Sequence, residues 1–235
     1  MSGFLRNFAP KLSINLPIGN ATRLTQKTIY LIRHGETDYN RRGVVQGSGV
    51  DSDLNEMGRA QAMAFFQAYQ HVPFAKIYVS GLKRTYQTVE PFIELGIAYE
   101  KLTGLNEISW GVMEGKVPGN IDNEYYRNLI EAWASGNTTL TTDGGESPSQ
   151  VATRQKEAID VILSHPDEEP VLVAMHGRAM RILLCWLTNQ SLATMDQFEH
   201  SNLCLYKLRY EYDSAVFTIE LVNDTAHLLS LAMAQ

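Results

Sequence analysis

The stretch "TIYLIRHGETDYN", residues 28–40, decides how this chain folds. Its first half is apolar and rich in β-branched residues, which predicts a strand over residues 28–33. The strand stops on Arg-His-Gly, where an ordinary strand would end in a turn. The stretch "PVLVAMHGRAM", residues 170–180, repeats the pattern and stops on His-Gly with an arginine beside it. Two strands that end in ionisable side chains indicate two halves of one site.

Strand-like and helix-like segments alternate along the chain. Strand-like runs lie at residues 28–33, 75–79, 170–175, 203–209 and 215–222. Helical patterns lie at residues 54–70, 83–95, 123–136, 147–165 and 177–189. This order predicts an α/β fold of three layers, α/β/α, with a mainly parallel sheet, and the last two strands are close enough to pair as a hairpin. The weakly patterned stretch around 103–146 predicts an inserted cap.

Two of these helices carry local signals. Ser147 can cap a helix N-terminus, and Gln150 completes a capping box with it. Pro91 threatens the second half of the helix over residues 83–95, because proline lacks the N–H that a helix interior needs.

Composition limits the classes of function. The chain has 235 residues, 44% of them hydrophobic and 20% charged, which is typical of a globular protein. The formal net charge of −6 argues against binding to nucleic acid or to an anionic membrane surface. An anionic substrate would therefore need a local cationic pocket. Cys185 and Cys204 form no C-x-x-C motif, so we expect a reducing compartment and a cytoplasmic location.

The first 26 residues differ from the rest, because they contain three basic residues and no Asp or Glu. They lack the apolar core of a secretory signal, and two prolines weaken the amphipathic helix of an organelle transit peptide. We therefore expect an N-terminal extension over residues 1–26 and one domain over residues 27–235, with organelle import as the alternative. No apolar run approaches the ~18 residues that a membrane-spanning helix needs.

Three predicted strands end in residues that could bind an anion. Arg33 and His34 follow the first strand, His176 follows another, and "KIYVS" leads through Ser80 to Arg84. Because the carboxyl ends of parallel strands share one edge of a sheet, these side chains should meet although they are far apart in the sequence. Such a cationic cluster repels itself unless an anion occupies it, and a phosphoryl group is the natural occupant.

These residue types suit phosphoryl transfer. Arginine offers fixed donors for the phosphoryl oxygens. Histidine can attack phosphorus when it is neutral, and neighbouring positive charge lowers its pKa in that direction. Gly35 and Gly177, each next to a histidine, would leave room for a ligand to approach the backbone. A leaving alkoxide also needs a proton, which a carboxylic acid can donate if its pKa is raised toward neutrality.

Four blocks, "LIRHGETDYN", "SGLKRTYQT", "NEISWGVMEG" and "HGRAMR", occur in this order along the chain. Together they resemble the histidine phosphatase superfamily, with its phosphoglycerate-mutase-like fold. The tail "NDTAHL", residues 223–228, is similar to the end of bacterial members, so the resemblance covers nearly everything but the first 26 residues. The second block departs from the commoner S-D/P-L-x-R-A pattern at Gly81 and Thr85, but Arg84 is in place.

The resemblance implies a role for each matching residue. His34 would be the nucleophile that becomes phosphohistidine, and Glu107 would donate the proton to the leaving oxygen. The residues that would contact the phosphoryl group or the substrate are Arg33, Asn40, Gln46, Gly47, Arg84, His176 and Gly177. The histidines that match no block, and are expected to be ordinary, are His71, His165, His200 and His227.

The sequence contains no H-E-x-x-H, no close pair of Cys and His ligands and no nucleotide-binding glycine motif. We therefore expect phosphoryl transfer without a metal or a cofactor, on a small phosphorylated metabolite, by a chain whose oligomeric state stays open. A phosphatase is the main prediction. A cofactor-dependent phosphoglycerate mutase and an inactive phosphate-binding module are the alternatives.

Two comparisons within the family bear on these alternatives. Its mutases favour R-H-G-E-S and a tyrosine–glycine segment after the acid, whereas this chain has Thr37 and "ISWGVMEG". The patterns "KRT-x-QT" and "NEI-x-x-GV-x-EG" are similar to those of fructose-2,6-bisphosphatase domains, which makes a sugar phosphate a candidate substrate.

Overall fold

One mixed sheet organises the molecule. A computed structural model describes residues 25–117 and 120–232. Residues 1–24 of the expected N-terminal extension lie outside the described residues. The strands are β1 (Gln26–Arg33), β2 (Lys76–Val79), β3 (Tyr99–Lys101), β4 (Val171–Met175), β5 (Leu205–Glu211) and β6 (Val216–Asp224). Their order across the sheet is β3-β2-β4-β1-β5-β6. Neighbours among β1 to β4 pair parallel, and β5 is antiparallel to β1 and β6.

Helices cover both faces of this sheet. They are α1 (Asp38–Arg41), α2 (Glu56–Tyr69), α3 (Lys83–Glu94), α4 (Asn120–Ala134), α5 (Pro148–Leu163), α6 (Gly177–Leu187) and α7 (Leu229–Ala232). Ile29 and Val173 pack on one face with buried residues of α4, α5 and α6. Ile32 and Val79 pack on the other face with buried residues of α2 and α3. The predicted three-layer α/β/α fold, its mainly parallel sheet and its terminal hairpin are confirmed.

The two local signals had different outcomes. Ser147 caps α5 as predicted, because its side chain accepts from the Gln150 backbone N–H while the Gln150 side chain accepts from the Ser147 N–H. Pro91 does not end α3, which continues to Glu94. The buried side chain of Phe92 anchors this last turn in the core and compensates for the hydrogen bond that proline cannot make.

The cap region, residues 103–146, is held by close packing. It contains two short 3₁₀ turns, Thr103–Leu105 and Gly111–Met113, followed by α4. Gly111 has a φ of +51°, and a Cβ there would collide with the Asp143 carbonyl oxygen. Trp110 contacts Trp133 and Tyr126, with ring centroids 5.7 and 5.4 Å apart. Gly111 therefore serves a close contact between backbones and not only a flexible loop.

Candidate active site

The two histidines meet at the carboxyl edge of the sheet. β1 and β4 are adjacent and parallel, with Arg33 opposite Met175. The backbone N–H of His34 donates to the Met175 carbonyl at 3.0 Å, which continues the ladder by one residue. The rings of His34 and His176 then lie with their centroids 5.2 Å apart. Strand register thus brings together residues that are distant in the sequence.

His34 is held in the neutral form that a nucleophile requires. Its side chain is only 2% exposed, and Nδ1 lies 2.7 Å from the Gly35 carbonyl oxygen, so Nδ1 carries the proton and donates. This leaves Nε2 with a lone pair. Burial holds the pKa of His34 well below its usual value, and the nearby charges of Arg84 and Arg33 lower it further. The imidazole is therefore neutral at neutral pH, as attack on phosphorus requires.

His176 belongs to a chain of hydrogen bonds. Its Nδ1 accepts from Nε of Arg84 at 3.1 Å, so Nε2 carries the proton and donates to Oγ of Ser80 at 2.8 Å. The Ser80 hydroxyl in turn lies 2.9 Å from that of Thr85. Burial, followed by the charge of Arg84, lowers the pKa of His176 well below its usual value. The ring is neutral and fixed in one orientation.

Arg84 is fully buried and bound mainly by backbone groups. Its Nη1 donates to the Val50 carbonyl at 2.6 Å, and its Nη2 donates to the Gly47 carbonyl at 3.2 Å. Burial lowers the pKa of Arg84 to about 10, while the negative charge of Glu107 acts in the opposite direction. The guanidinium thus stays charged at neutral pH, and its position depends on the loop over residues 46–50.

Arg33 has one donor without a partner. Its Nη1 lies 3.2 Å from the His200 carbonyl oxygen and 3.3 Å from Nδ1 of the same residue. Its Nε is buried and finds no acceptor among the residues of the structure, 25–117 and 120–232. A buried cationic donor left unpaired is costly, and an anion in the site would satisfy it.

The amides of Asn40 and Gln46 are predicted to contact the phosphate. Oδ1 of Asn40 accepts from the Thr37 backbone N–H at 3.2 Å and from the Asn202 amide at 3.3 Å. Oε1 of Gln46 accepts from the Ser52 hydroxyl at 2.5 Å. Because both amide oxygens are engaged, the two NH₂ groups remain as donors for a bound anion.

Glu107 lies at the N-terminus of α6, next to His176. Its Oε1 accepts from the backbone N–H groups of Ile108 at 2.9 Å and Ala179 at 2.8 Å, and its Oε2 accepts from that of Arg178 at 3.1 Å. The residue is 7% exposed, so it is not a solvated surface charge. Oε2 accepts one bond only and keeps a lone pair that can carry a proton. The assignment of Glu107 as the acid stays a prediction.

Contacts within the protein give two glycines a reason that was not expected, while the approach of a ligand to them stays a prediction. A Cβ at Gly35 would lie 2.6 Å from the Gly58 carbonyl oxygen, and a Cβ at Gly58 would collide with the backbone of Glu36. A Cβ at Gly177 would lie 2.9 Å from Cε1 of His200. In both places the missing side chain makes room for another part of the protein, so these contacts alone account for the glycines.

Sequence reasoning missed His200, which is part of this site. Burial, followed by the charges of Arg33 and Arg181, lowers its pKa to about 3. The chain direction could have revealed it. β5 runs antiparallel to β1, so residues just before β5 lie at the edge where β1 ends. Asn202 lies in the same segment, and its amide donates to the His34 carbonyl at 3.0 Å.

Glu114 is a second missed residue, and it links the cap region to the loop that holds Arg84. Its Oε1 accepts from the Trp110 backbone N–H at 2.8 Å. Its carboxylate occupies the space that side chains at Gly47 and Gly49 would need. Gly47 is therefore positioned by the cap while its carbonyl binds Arg84.

Within residues 25–117 and 120–232, no group of three His, Cys, Asp or Glu side chains could hold a metal ion. In the same part of the chain, every helix is too short or too polar to cross a membrane.

Two curated proteins are similar in sequence to the chain over most of its length. It is 32% identical over 209 residues to the 6-phosphofructo-2-kinase/fructose-2,6-bisphosphatase of Gallus gallus, a match that covers 86% of this chain and 42% of that protein. The chain thus spans less than half the length of that relative. It is 27% identical over 213 residues to a probable phosphoglycerate mutase, GpmB, of Erwinia tasmaniensis, with 87% and 96% covered.

A solved structure supports the same grouping. The mycobacterial glucosyl-3-phosphoglycerate phosphatase superposes with a TM-score of 0.74 at 26% identity, covering 85% of this chain and 100% of that one. A family model described as histidine phosphatase superfamily (branch 1) matches residues 29–225. Sheet order, paired histidines and family match agree: the chain belongs to the histidine phosphatase superfamily, branch 1.

Proposed function

We propose that the chain is a phosphatase that hydrolyses small phosphomonoesters through a phosphohistidine. The observation that carries this proposal is the state of His34, a neutral imidazole with Nδ1–H bound to a carbonyl and Nε2 left to attack. It stands beside Arg33 and Arg84, whose charges can stabilise the transferred group.

The proposed reaction has two steps. First, the Nε2 lone pair of His34 attacks phosphorus, the ester P–O bond breaks, and Glu107 gives its proton to the departing oxygen. Second, a water attacks the phosphohistidine, returns a proton to Glu107 and releases inorganic phosphate and neutral His34. Arg33 and Arg84 would hold the phosphoryl oxygens throughout, and the Nε2–H of His176 would join them by exchanging its bond to Ser80 for one to a phosphoryl oxygen.

We infer a sugar phosphate as the substrate class. Two of the relatives are named for phosphorylated sugars, one as a fructose-2,6-bisphosphatase and one as a glucosyl-3-phosphoglycerate phosphatase. A cytoplasmic location is also inferred, since the two free cysteines, Cys185 and Cys204, are buried thiols that suit a reducing compartment.

A mutase is the second candidate, and one observation favours it. His34 and His176 are 2% and 0% exposed, and a mutase must shield its phosphohistidine from water. Incubation with 3-phosphoglycerate, with and without 2,3-bisphosphoglycerate, separates the two reactions. Free phosphate supports the phosphatase, whereas 2-phosphoglycerate that forms only with the bisphosphate supports the mutase.

Rapid quench with a ³²P-labelled ester tests the common intermediate. We expect an acid-labile, base-stable phosphoryl bond in the wild type, no bond and no turnover in His34→Ala, and full activity in the control His71→Ala, which changes an exposed histidine. The reaction should proceed unchanged in EDTA. An acid-stable adduct, or turnover by His34→Ala, would end the phosphohistidine proposal, and loss of activity in EDTA with recovery on adding a divalent ion would end metal independence.

A further inference from the structure

A cavity of about 310 Å³ adjoins the phosphate-side amides. The side chains that line it are Asn40 and Gln46, Val44 and Val45, and the aromatic rings of Trp110 and Tyr126. Since Asn40 and Gln46 are proposed to contact the phosphoryl group, the remainder of this cavity is where the leaving group would lie. Its walls are aliphatic and aromatic, with an amide edge.

The lining carries no cation. None of the residues that the structure places around the cavity is Lys or Arg. A second phosphate or a carboxylate on the leaving group would therefore enter the cavity without a matching charge on its lining.

Arg178, which contacts the cavity residue Tyr126, already has an acidic partner. Nη2 of Arg178 lies 3.4 Å from the Tyr126 hydroxyl, and its Nη1 forms an ion pair with Asp196 at 2.6 Å. The guanidinium also lies 5.7 Å from the centre of the Trp133 ring, in a cation–π contact. Asp196 binds Arg181 through the same carboxylate oxygen. One carboxylate thus partly neutralises both arginines that follow His176.

We propose that this cavity selects phosphomonoesters whose leaving group is uncharged and presents an apolar face, and that it disfavours a second anion. The proposal rests on the phosphatase function proposed above. An anion transferred from water into this cavity would lose hydration without gaining an ion pair. Trp110 and Tyr126 offer an anion no ion pair either, whereas the C–H face of a sugar ring or an aromatic ring packs favourably on such rings.

Matched pairs of alkyl esters test the selectivity of the wild type. One pair is fructose 6-phosphate and fructose 1,6-bisphosphate, and the other is 2-phenylethyl phosphate and 3-(phosphonooxy)propionate. We expect kcat/KM for phosphate release to favour the ester with one anionic group in each pair by at least about tenfold, the size expected for an unpaired charge in a partly polar cavity.

The outcomes separate the two proposals. If His34 forms phosphohistidine and the esters with two anionic groups turn over equally fast or faster, the selectivity proposal is overturned and the phosphatase proposal stands. No phosphate from any ester and no phosphohistidine would overturn both.

Asp196→Asn tests the engaged arginine. It frees Arg178, so kcat/KM for fructose 1,6-bisphosphate should rise about fivefold relative to fructose 6-phosphate, as expected for a new charge contact near the rim. The control Asp213→Asn changes an exposed carboxylate and should leave the ratio unchanged. An unchanged ratio in folded Asp196→Asn would contradict the claim that the ion pair with Asp196 keeps Arg178 from binding a second anion. If that variant does not fold, the ratios of the wild type alone decide the proposal.

Discussion

The charged side chains of the candidate active site are held largely by backbone groups, whereas the aromatic side chains of the cap region pack against one another. Arg84 is bound by two carbonyl groups of the loop over residues 46–50, and Glu107 by three backbone N–H groups. In the cap, Trp110 contacts two other aromatic rings. The difference teaches which half can vary. Backbone groups hold the charged side chains proposed to act on the phosphate, so these positions tolerate little change. The aromatic side chains of the cap can be exchanged more freely, and they decide which leaving group fits beside the phosphate.

The largest effect should come from breaking the backbone clamp on Arg84. Arg84→Lys keeps the charge but cannot reach two carbonyls and His176 at once, so we expect kcat to fall about 10³-fold, as for loss of a transition-state donor. Steady-state kinetics on p-nitrophenyl phosphate measure it, with Lys83→Met as the exposed neighbour for control. A loss below tenfold would show that charge alone suffices at this position.

Removal of the acid should be the next largest effect. Glu107→Gln keeps the shape but has no proton to give, so kcat for an alkyl phosphate should fall about 10²-fold. p-Nitrophenyl phosphate has a good leaving group and should lose little, which makes it the internal control. Equal losses on both substrates would demote Glu107 to holding the start of α6.

The cap half can be tested by one methyl group. Gly111→Ala combines a left-handed backbone with a clash against the Asp143 carbonyl, so we expect about 3 kcal/mol less stability in urea unfolding. Gly136 has a φ of +98° but nothing within 4 Å, so Gly136→Ala should cost only about 1 kcal/mol. Equal costs would mean that the cap does not depend on this close contact.

An effect smaller than that of Gly111→Ala is predicted in acid. The folded pKa of His200 is about 3 and the unfolded value is 6.5, so between these pH values the unfolded chain binds the extra proton and stability falls as pH falls. From pH 7 to pH 5 this histidine alone should remove about 2 kcal/mol. His200→Asn should show a correspondingly shallower loss in urea titrations, and parallel curves for both proteins would contradict the buried, neutral state of His200.

The sheet edge was largely predictable and the cap was not. Apolar runs that end in Arg33-His34 and in His176 locate the site, because parallel strands end at one edge. Asn40 and Gln46 could be placed only by resemblance, since an amide in a loop has no periodicity to reveal it. The order β1-β5 was not predictable from local patterns, because it is a long-range pairing, and His200 was missed for that reason.

The glycines of the cap show a second limit of sequence reasoning. In the sequence, Gly111 and Gly145 look like ordinary loop residues. In the structure, another part of the cap lies so close to each of them that a side chain would not fit. A glycine signals that a side chain is missing and does not tell what fills the space. The same holds for Gly177, where the neighbour is the ring of His200.

The contact between Gly35 and Gly58 also constrains how related sequences can diverge. A Cβ at Gly35 would meet the backbone of Gly58, and a Cβ at Gly58 would meet the backbone of Glu36, so a change at either glycine is deleterious whatever stands at the other position. No compensating partner exists for such a pair, since shrinking a glycine further is impossible. In a deep mutational scan both positions should be intolerant and uncoupled, and across homologues they should appear as two fixed columns with no covariation, although they touch.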